Sequence, residues 1–203
     1  GELTNSAPNV FEWTTPERLI YRFRPLSDGA ALGGRLAEIR DLHGNHVLVN
    51  WDDNSGNISN VVDSAGGTFT FRYDGTRLTN VTFGQWQVNL VYDGTPRLIS
   101  KSLTNTSGLY SAVNTTWQFQ YNTNGLLAYI IDPRGNTNNT IQYDQYGRQT
   151  NQVDALGRAS ATRYGVPATR KITRIDPGTN SWIETYDRKG HILAQQDPLT
   201  NIT

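Results

Sequence analysis

The chain has 203 residues, and its 18 Lys and Arg residues balance its 18 Asp and Glu residues. A neutral chain gives no electrostatic reason to expect binding to nucleic acid or to an anionic membrane. Cys is absent, which excludes a disulfide scaffold, thiolate catalysis and Cys-ligated zinc. No apolar run is long enough to span a membrane as a helix. Met is absent too, so we expect the chain to be a segment of a longer protein.

Residues 1–32 do not follow the pattern of the rest of the chain and are interrupted by three prolines. The stretch 13–16, followed by the apolar and aromatic stretch 19–23, predicts a β hairpin. We expect residues 1–32 to form an N-terminal cap or hairpin that leads into residues 33–203. An atypical first unit is common in repeat proteins, because an open sheet edge invites association.

From residue 33 onward, Asp, two residues and Gly recur as a pattern. Asp at the first position accepts a hydrogen bond from the backbone amide two residues on, and Gly closes the turn without steric cost. The pattern predicts structural turns at Asp41 and Gly44, Asp63 and Gly66, Asp132 and Gly135, Asp144 and Gly147, Asp154 and Gly157, and Asp187 and Gly190. Asp53 and Gly56 show the same spacing.

An aromatic residue followed by Asp, or a close variant of that pair, recurs in phase with these turns. The aromatic residues are Trp51, Tyr73, Tyr92, Tyr121, Tyr143, Tyr164 and Tyr186. Most are 21 or 22 residues apart, and the exceptions are one interval of 19 and one of 29. The period predicts antiparallel β-hairpin repeats of about 22 residues. The long interval indicates an insertion near residues 103–116.

The strand-like stretches show which residues share a face of the sheet. Phe69, Phe71 and Tyr73 alternate with polar residues, which predicts one packed face and one polar face. In the second strand of each repeat, apolar residues lie three apart, as at Leu36 and Ile39. A β-bulge between them would bring both onto one face. The same spacing recurs at Ile58 and Val61, Leu78 and Val81, and Leu127 and Ile130.

These motifs resemble the RHS or YD-repeat family. The resemblance rests on stretches 142–149 and 153–158, with Asp-x-x-Gly-Asn at 132–136 and 41–45, and it covers the chain from about Arg35 onward. In that family the repeats wind into a curved, spiralling β-sheet that closes as a hollow shell. The resemblance therefore implies an all-β fold in which residues 33–203 are RHS/YD repeats and form a fragment of such a shell.

The same resemblance implies a function. Shell-forming members enclose a C-terminal toxin segment in toxin complexes and in bacterial polymorphic toxins, and teneurins use the repeats for adhesion. We expect a non-catalytic structural segment of a large exported or surface bacterial protein, located outside the cell. The partners implied are the remaining repeats and the C-terminal core or toxin of the parent protein. Sheet edges also offer a route to self-association.

The polar residues offer few candidates for chemistry. Paired carboxylates would suit glycoside hydrolysis, but each repeated Asp opens a turn. Glu38 and Glu184 lie within strands, where they are either solvent-facing or paired across the sheet. His43 and His46 lack the spacing of joint metal ligands, and loop 52–57 lacks the closing Glu of a calcium loop. We expect no catalytic residue, no metal site and no cofactor.

The tryptophans leave a second function open. Trp86, Trp117 and Trp182 are candidate ligand-stacking residues, because sugar rings stack on indole faces. The resemblance implies the same role, since YD repeats have been described as carbohydrate-binding. Aromatic residues at every second position of an apolar face are more commonly core residues. The alternative to a shell segment is therefore a carbohydrate- or partner-binding adhesion module.

Overall fold

The structure is a computed structural model that describes residues 1–7, 10–107, 115–166 and 169–203. The chain divides into two compact units, Gly1–Thr115 and Thr116–Thr203. In the described residues the fold is all-β apart from a short 3-10 helix at Leu26–Asp28. Part of the insertion expected near residues 103–116, namely 108–114, lies outside the described residues.

The first unit contains strands β1 (Glu2–Ala7), β2 (Val10–Thr14), β3 (Ile20–Phe23), β4 (Leu36–Arg40), β5 (His46–Trp51), β6 (Ile58–Asp63), β7 (Thr68–Asp74), β8 (Arg77–Phe83), β9 (Trp86–Tyr92) and β10 (Leu98–Asn105). The second unit contains β11 (Trp117–Tyr121), β12 (Leu127–Ile131), β13 (Thr137–Tyr143), β14 (Gln149–Asp154), β15 (Ala159–Tyr164), β16 (Lys171–Ile175), β17 (Ser181–Tyr186) and β18 (Ile192–Gln196).

Within each unit every strand pairs antiparallel with the next strand in the sequence. The result is a run of β hairpins, because short turns join strands of five to eight residues throughout most of the chain. The β hairpin at the start pairs Trp13 with Tyr21. The prediction of an all-β fold built from antiparallel hairpin repeats is confirmed.

A β-bulge recurs at the same point of the repeat. In the hairpin of β7 and β8, Tyr73 lies opposite Leu78 and Arg72 lies opposite Asn80, so Thr79 is the extra residue. Leu78 and Val81 therefore share one face, as the three-residue spacing predicted. The corresponding extra residues are Ala37, Ser59, Ile99, Ala128, Thr150 and Leu193.

The sheet has two chemically distinct faces. We call the face that carries the aromatic residue of each aromatic-Asp pair the aromatic face, and the opposite one the polar face. On the polar face amide side chains bond across strands, as from Asn80 to Asn89 at 2.8 Å. Among the described residues only two apolar residues are buried, Leu32 and Ala128, and no large side chain is completely buried. Each hairpin is thus stabilised mainly by its neighbours in the sheet, as in other repeat proteins.

Candidate functional site

The Asp residue of each turn holds the turn closed with its carboxylate. Asp132 Oδ1 accepts hydrogen bonds from the backbone amides of Arg134 and Asn136, both at 2.9 Å. Asp132 Oδ2 accepts a bond from the Asn136 side chain at 3.3 Å. Gly135 adopts a φ of 85°, which favours glycine, and its amide donates to the Asp132 carbonyl. Both carboxylate oxygens are therefore engaged within the turn.

The same arrangement recurs along the chain. The Oδ1 atom accepts backbone bonds from the residues two and four positions on in Asp41, Asp63, Asp144, Asp154, Asp187 and Asp197, and Asn122 does the same with its amide oxygen. In most of these turns an Asn, Arg or His side chain four residues on donates to Oδ2. The motif thus prefers Asn or Arg after Gly because that side chain completes the turn.

These bonds also lower the pKa of the carboxylates. The bond from the side chain four residues on is the largest cause at Asp41, Asp154, Asp176, Asp187 and Asp197. A hydrogen bond that favours the charged form keeps the group ionised. A carboxylate held ionised by its own turn is poorly suited to act as a general acid.

The prediction that Asp53 opens the turn before Gly56 is wrong. Asp52 opens the turn instead, because its Oδ1 accepts the Ser55 amide at 2.7 Å and its carbonyl accepts the Gly56 amide at 2.8 Å. Asp53 is the second residue of this turn, and its carboxylate lies 3.5 Å from Arg24 Nη2. The sequence contains two adjacent Asp residues, and spacing alone selected the wrong one.

In three repeats the aromatic residue is bonded to the preceding repeat. The Trp51 indole donates to the Leu36 carbonyl at 2.8 Å. The Tyr92 and Tyr143 hydroxyls donate to the carbonyls of Leu78 and Leu127 at 2.9 and 2.8 Å. Each acceptor is the residue opposite the aromatic residue of its own hairpin. The aromatic-Asp motif therefore joins successive hairpins.

An arginine reinforces the same junction. The guanidinium of Arg35 lies 4.6 Å from the Trp51 ring centroid, and that of Arg148 lies 4.2 Å from the Tyr164 ring. Cation–π contacts of this kind contribute on the order of 1 kcal/mol. This role was not predicted from the sequence. The sequence signal for it is an Arg that follows the turn Gly in phase with the next aromatic residue.

The aromatic face is apolar in the middle of the first unit. The rings of Phe69 and Phe83 stack at 4.3 Å, and Trp86 lies directly opposite Phe83. These three side chains are 43%, 40% and 47% exposed. Val61 lies opposite Phe69 and extends the row.

The aromatic face is polar near the end of the second unit. Glu184 accepts hydrogen bonds from Arg174 Nη1 at 3.1 Å, the Tyr186 hydroxyl at 2.6 Å and Gln195 Nε2 at 3.3 Å. The bond to Glu184 raises the pKa of Tyr186. Glu38 forms a cross-strand ion pair too, with Arg22 Nη1 at 3.1 Å on the polar face. Glu38 and Glu184 are therefore both paired across the sheet, which is one of the two arrangements that the sequence left open.

Two of the three candidate stacking tryptophans, Trp117 and Trp182, lie on β11 and β17 of the second unit, six strands apart, and do not form one site. Trp86 lies on β9 of the first unit. His43 and His46 lie in and beside a turn, and the described ranges contain no cluster of three His, Cys, Asp or Glu residues that would hold a metal. No helix in the described part of the chain is long and apolar enough to cross a membrane.

The turns, bulges and interlocking aromatic residues define a class of protein, an antiparallel β-hairpin repeat protein with a period of about 22 residues. No protein-family model and no curated protein matches the sequence. Solved structures do match. One is the Photorhabdus luminescens Tc holotoxin pore carrying a substitution in TccC3, with a TM-score of 0.56 and 12% identity over 94% of this chain and 12% of that chain.

A second similar structure is TcdB2-TccC3 without its hypervariable C-terminal region. It matches with a TM-score of 0.50 and 13% identity over 93% of this chain. This chain spans 11% of that structure's chain. The similarity lies in the fold, and at that level the resemblance to the RHS/YD-repeat family is confirmed.

Proposed function

We propose that this chain is a non-catalytic segment of the wall of an RHS-repeat shell in a large exported or surface bacterial protein. The proposal rests mainly on the hydrogen bonds that the repeated polar groups make within the fold. The Asp carboxylates close turns, and the aromatic hydroxyl and indole groups join hairpins. Groups engaged in this way are not available for chemistry on a substrate.

The structural neighbours support the same proposal. Tc toxin chains contain RHS-repeat shells, and this chain matches a small part of two of them in fold. Residues 33–203 would then be consecutive hairpins of the wall, and residues 1–32 the hairpin that leads into them. The partners would be the remaining repeats and a C-terminal core or toxin-like cargo in the same protein.

Protease protection tests the proposal on the gene product that contains this chain. A shell excludes protease, so the C-terminal cargo segment of the native protein should resist digestion that destroys it after denaturation. The sharper variant replaces residues 154–158, a surface turn, with a site for a specific protease. Cleavage there should open the wall and expose the cargo. Equal digestion of the cargo in the native and denatured proteins would overturn the proposal.

A further inference from the structure

The second unit carries different charge at the two edges where its turns lie. Because consecutive strands are antiparallel, the turns after β11, β13, β15 and β17 lie along one edge, and those after β12, β14 and β16 lie along the other. The first, which we call the basic edge, has five basic and two acidic residues in the ranges 122–127, 144–149, 165–171 and 187–192. The second, the acidic edge, has two basic and three acidic residues in the ranges 132–137, 154–159 and 176–181. A chain of zero net charge thus folds with a local excess of positive charge.

The turn after β15 lacks the carboxylate that neutralises Arg in the other turns. After β13, Arg148 Nη2 lies 2.7 Å from Asp144 Oδ2. Gly165 occupies the position of that Asp, and a Cβ there would lie only 3.0 Å from the Lys171 carbonyl oxygen. The close approach of the backbone therefore excludes Asp, and Arg170 is not neutralised by its own turn.

Four cations of the basic edge are exposed and form no ion pair in the described part of the chain, namely Arg170, Lys171, Arg188 and Lys189. The Asp187 carboxylate does not neutralise them, because its Oδ2 lies 2.9 Å from His191 Nδ1. The turns are adjacent, since the Tyr186 amide donates to the Arg170 carbonyl at 3.0 Å. Alternate turns of a sheet are about 10 Å apart. The four cations are therefore concentrated in two neighbouring turns.

Exposed aromatic and apolar side chains accompany these cations. Tyr146 is 73% exposed and Val166 is 64% exposed, and both lie in turns of the basic edge. The acidic edge also presents an apolar side chain, Leu156, but acidic residues predominate around it. Of these two edges, the basic one alone combines unpaired cations with exposed apolar side chains. Cations beside exposed aromatic and aliphatic groups are typical of proteins that bind the interface of a bilayer.

We propose that the basic edge binds the surface of a lipid bilayer that contains anionic phospholipids. The phosphate groups complement the unpaired cations, each of which contributes about fivefold to affinity near an anionic surface. Tyr146 and Val166 extend from the same edge and suit the interfacial region. Nucleic acid would pair with the cations too, but the aliphatic Val166 side chain gives no surface on which a base stacks. The proposal goes beyond the wall function and does not depend on it.

Cosedimentation of the 203-residue chain with vesicles tests the proposal. The probes are vesicles of phosphatidylcholine alone and vesicles of phosphatidylcholine with about one third phosphatidylglycerol. The chain should bind the anionic vesicles alone. Raising the salt concentration from about 0.1 M to about 1 M should weaken that binding, because the Debye length falls from about 10 Å to about 3 Å. Absence of binding to the anionic vesicles at the lower salt concentration would overturn the proposal.

A pair of double variants locates the binding surface. Arg188→Gln with Lys189→Gln should weaken binding to the anionic vesicles by about tenfold or more, because two cations are lost. Arg134→Gln with Arg158→Gln is the matched control, since it changes the net charge equally but at the acidic edge. It should leave the affinity within about twofold of the unmodified chain, because that edge lies more than a Debye length away. Equal losses in the two double variants would overturn the proposal.

Further variants keep the test independent of any one turn. Arg170→Gln with Lys171→Gln should weaken binding about as much as the changes at the neighbouring turn. Val166→Ser should weaken it by about threefold, whereas Leu156→Ser on the acidic edge should not. Thermal unfolding of each variant checks that the fold is retained. Binding of single-stranded DNA without binding of anionic vesicles would overturn the proposal in favour of a nucleic-acid surface.

Discussion

The two units use the same repeat but give the aromatic face different chemistry. In the first unit, Phe69, Phe83 and Trp86 form an apolar row across neighbouring strands. In the second unit, Arg174 and Glu184 occupy the same face and bond to each other. The turns, bulges and strand pairings are shared by both units. The architecture is therefore set by the turn Asp and the bulge, and the chemistry of the face varies independently.

The largest effect on stability is expected from placing a carboxylate in the first unit at the position that corresponds to Glu184. Phe71 occupies the repeat position of Glu184, but it lies opposite Val81, an apolar residue. Phe71→Glu should lower the free energy of unfolding by about 3 kcal/mol, because apolar burial is lost and a carboxylate is placed among apolar groups. Urea denaturation of the chain measures the change.

Phe71→Leu is the control for this variant, since Leu90 occupies the same position in the next repeat. It should cost less than about 1.5 kcal/mol. If Phe71→Glu is as stable as the unmodified chain, the aromatic face of the first unit does not differ from that of the second unit in its tolerance of a carboxylate.

The reverse exchange should have a smaller effect. Glu184→Ala should lower the free energy of unfolding by about 1–2 kcal/mol, because the Tyr186 hydroxyl and Gln195 amide lose their acceptor. Glu184→Leu should lose less than Glu184→Ala, because the same two donors lose their acceptor but the leucine side chain lies opposite Ile172 and regains apolar burial. Arg174 is 56% exposed and remains hydrated in both variants. Urea denaturation of both variants distinguishes the outcomes, and a larger loss for Leu than for Ala would contradict the comparison.

Removing one hydrogen bond between successive hairpins should lower the free energy of unfolding by about 1 kcal/mol. Tyr143→Phe deletes the hydroxyl that donates to the Leu127 carbonyl at 2.8 Å and leaves the ring in place. Tyr129→Phe is the control, because Tyr129 is an exposed residue on the polar face. The difference in melting temperature between these variants reports the junction, and equal values would show that it contributes nothing.

The smallest and most pH-dependent effect is expected at a turn. Asp132→Asn should keep both backbone bonds, as Asn122 does in its own turn, whereas Asp132→Ala should lose them and melt at a lower temperature. The hydrogen bond from the Asn136 backbone amide is the largest cause of the lowered pKa of Asp132, which lies below the usual value of 3.8. The advantage of Asp over Asn should therefore be present above pH 3.8 and disappear as the pH falls through the lowered pKa. An advantage that persists below that pKa would contradict the turn assignment.

Much of this fold was predictable from sequence because its determinants are local. The turn Asp and its donors lie within four residues of each other, and the bulge follows from apolar residues three apart. The junctions were not predictable in the same way, because the Tyr143 hydroxyl reaches a carbonyl 16 residues earlier. Glu184 and Gln195 could be paired only once the strand register was known. The error at Asp53 arose because the residue before it is also Asp.

Cryo-electron microscopy of the gene product that contains this chain tests most directly whether these hairpins form part of the wall of a shell. We expect a continuous β wall around an enclosed volume, with the hairpins from Leu36 to Gln196 as consecutive wall elements. A map in which these hairpins surround no enclosed volume would show that they do not form such a wall.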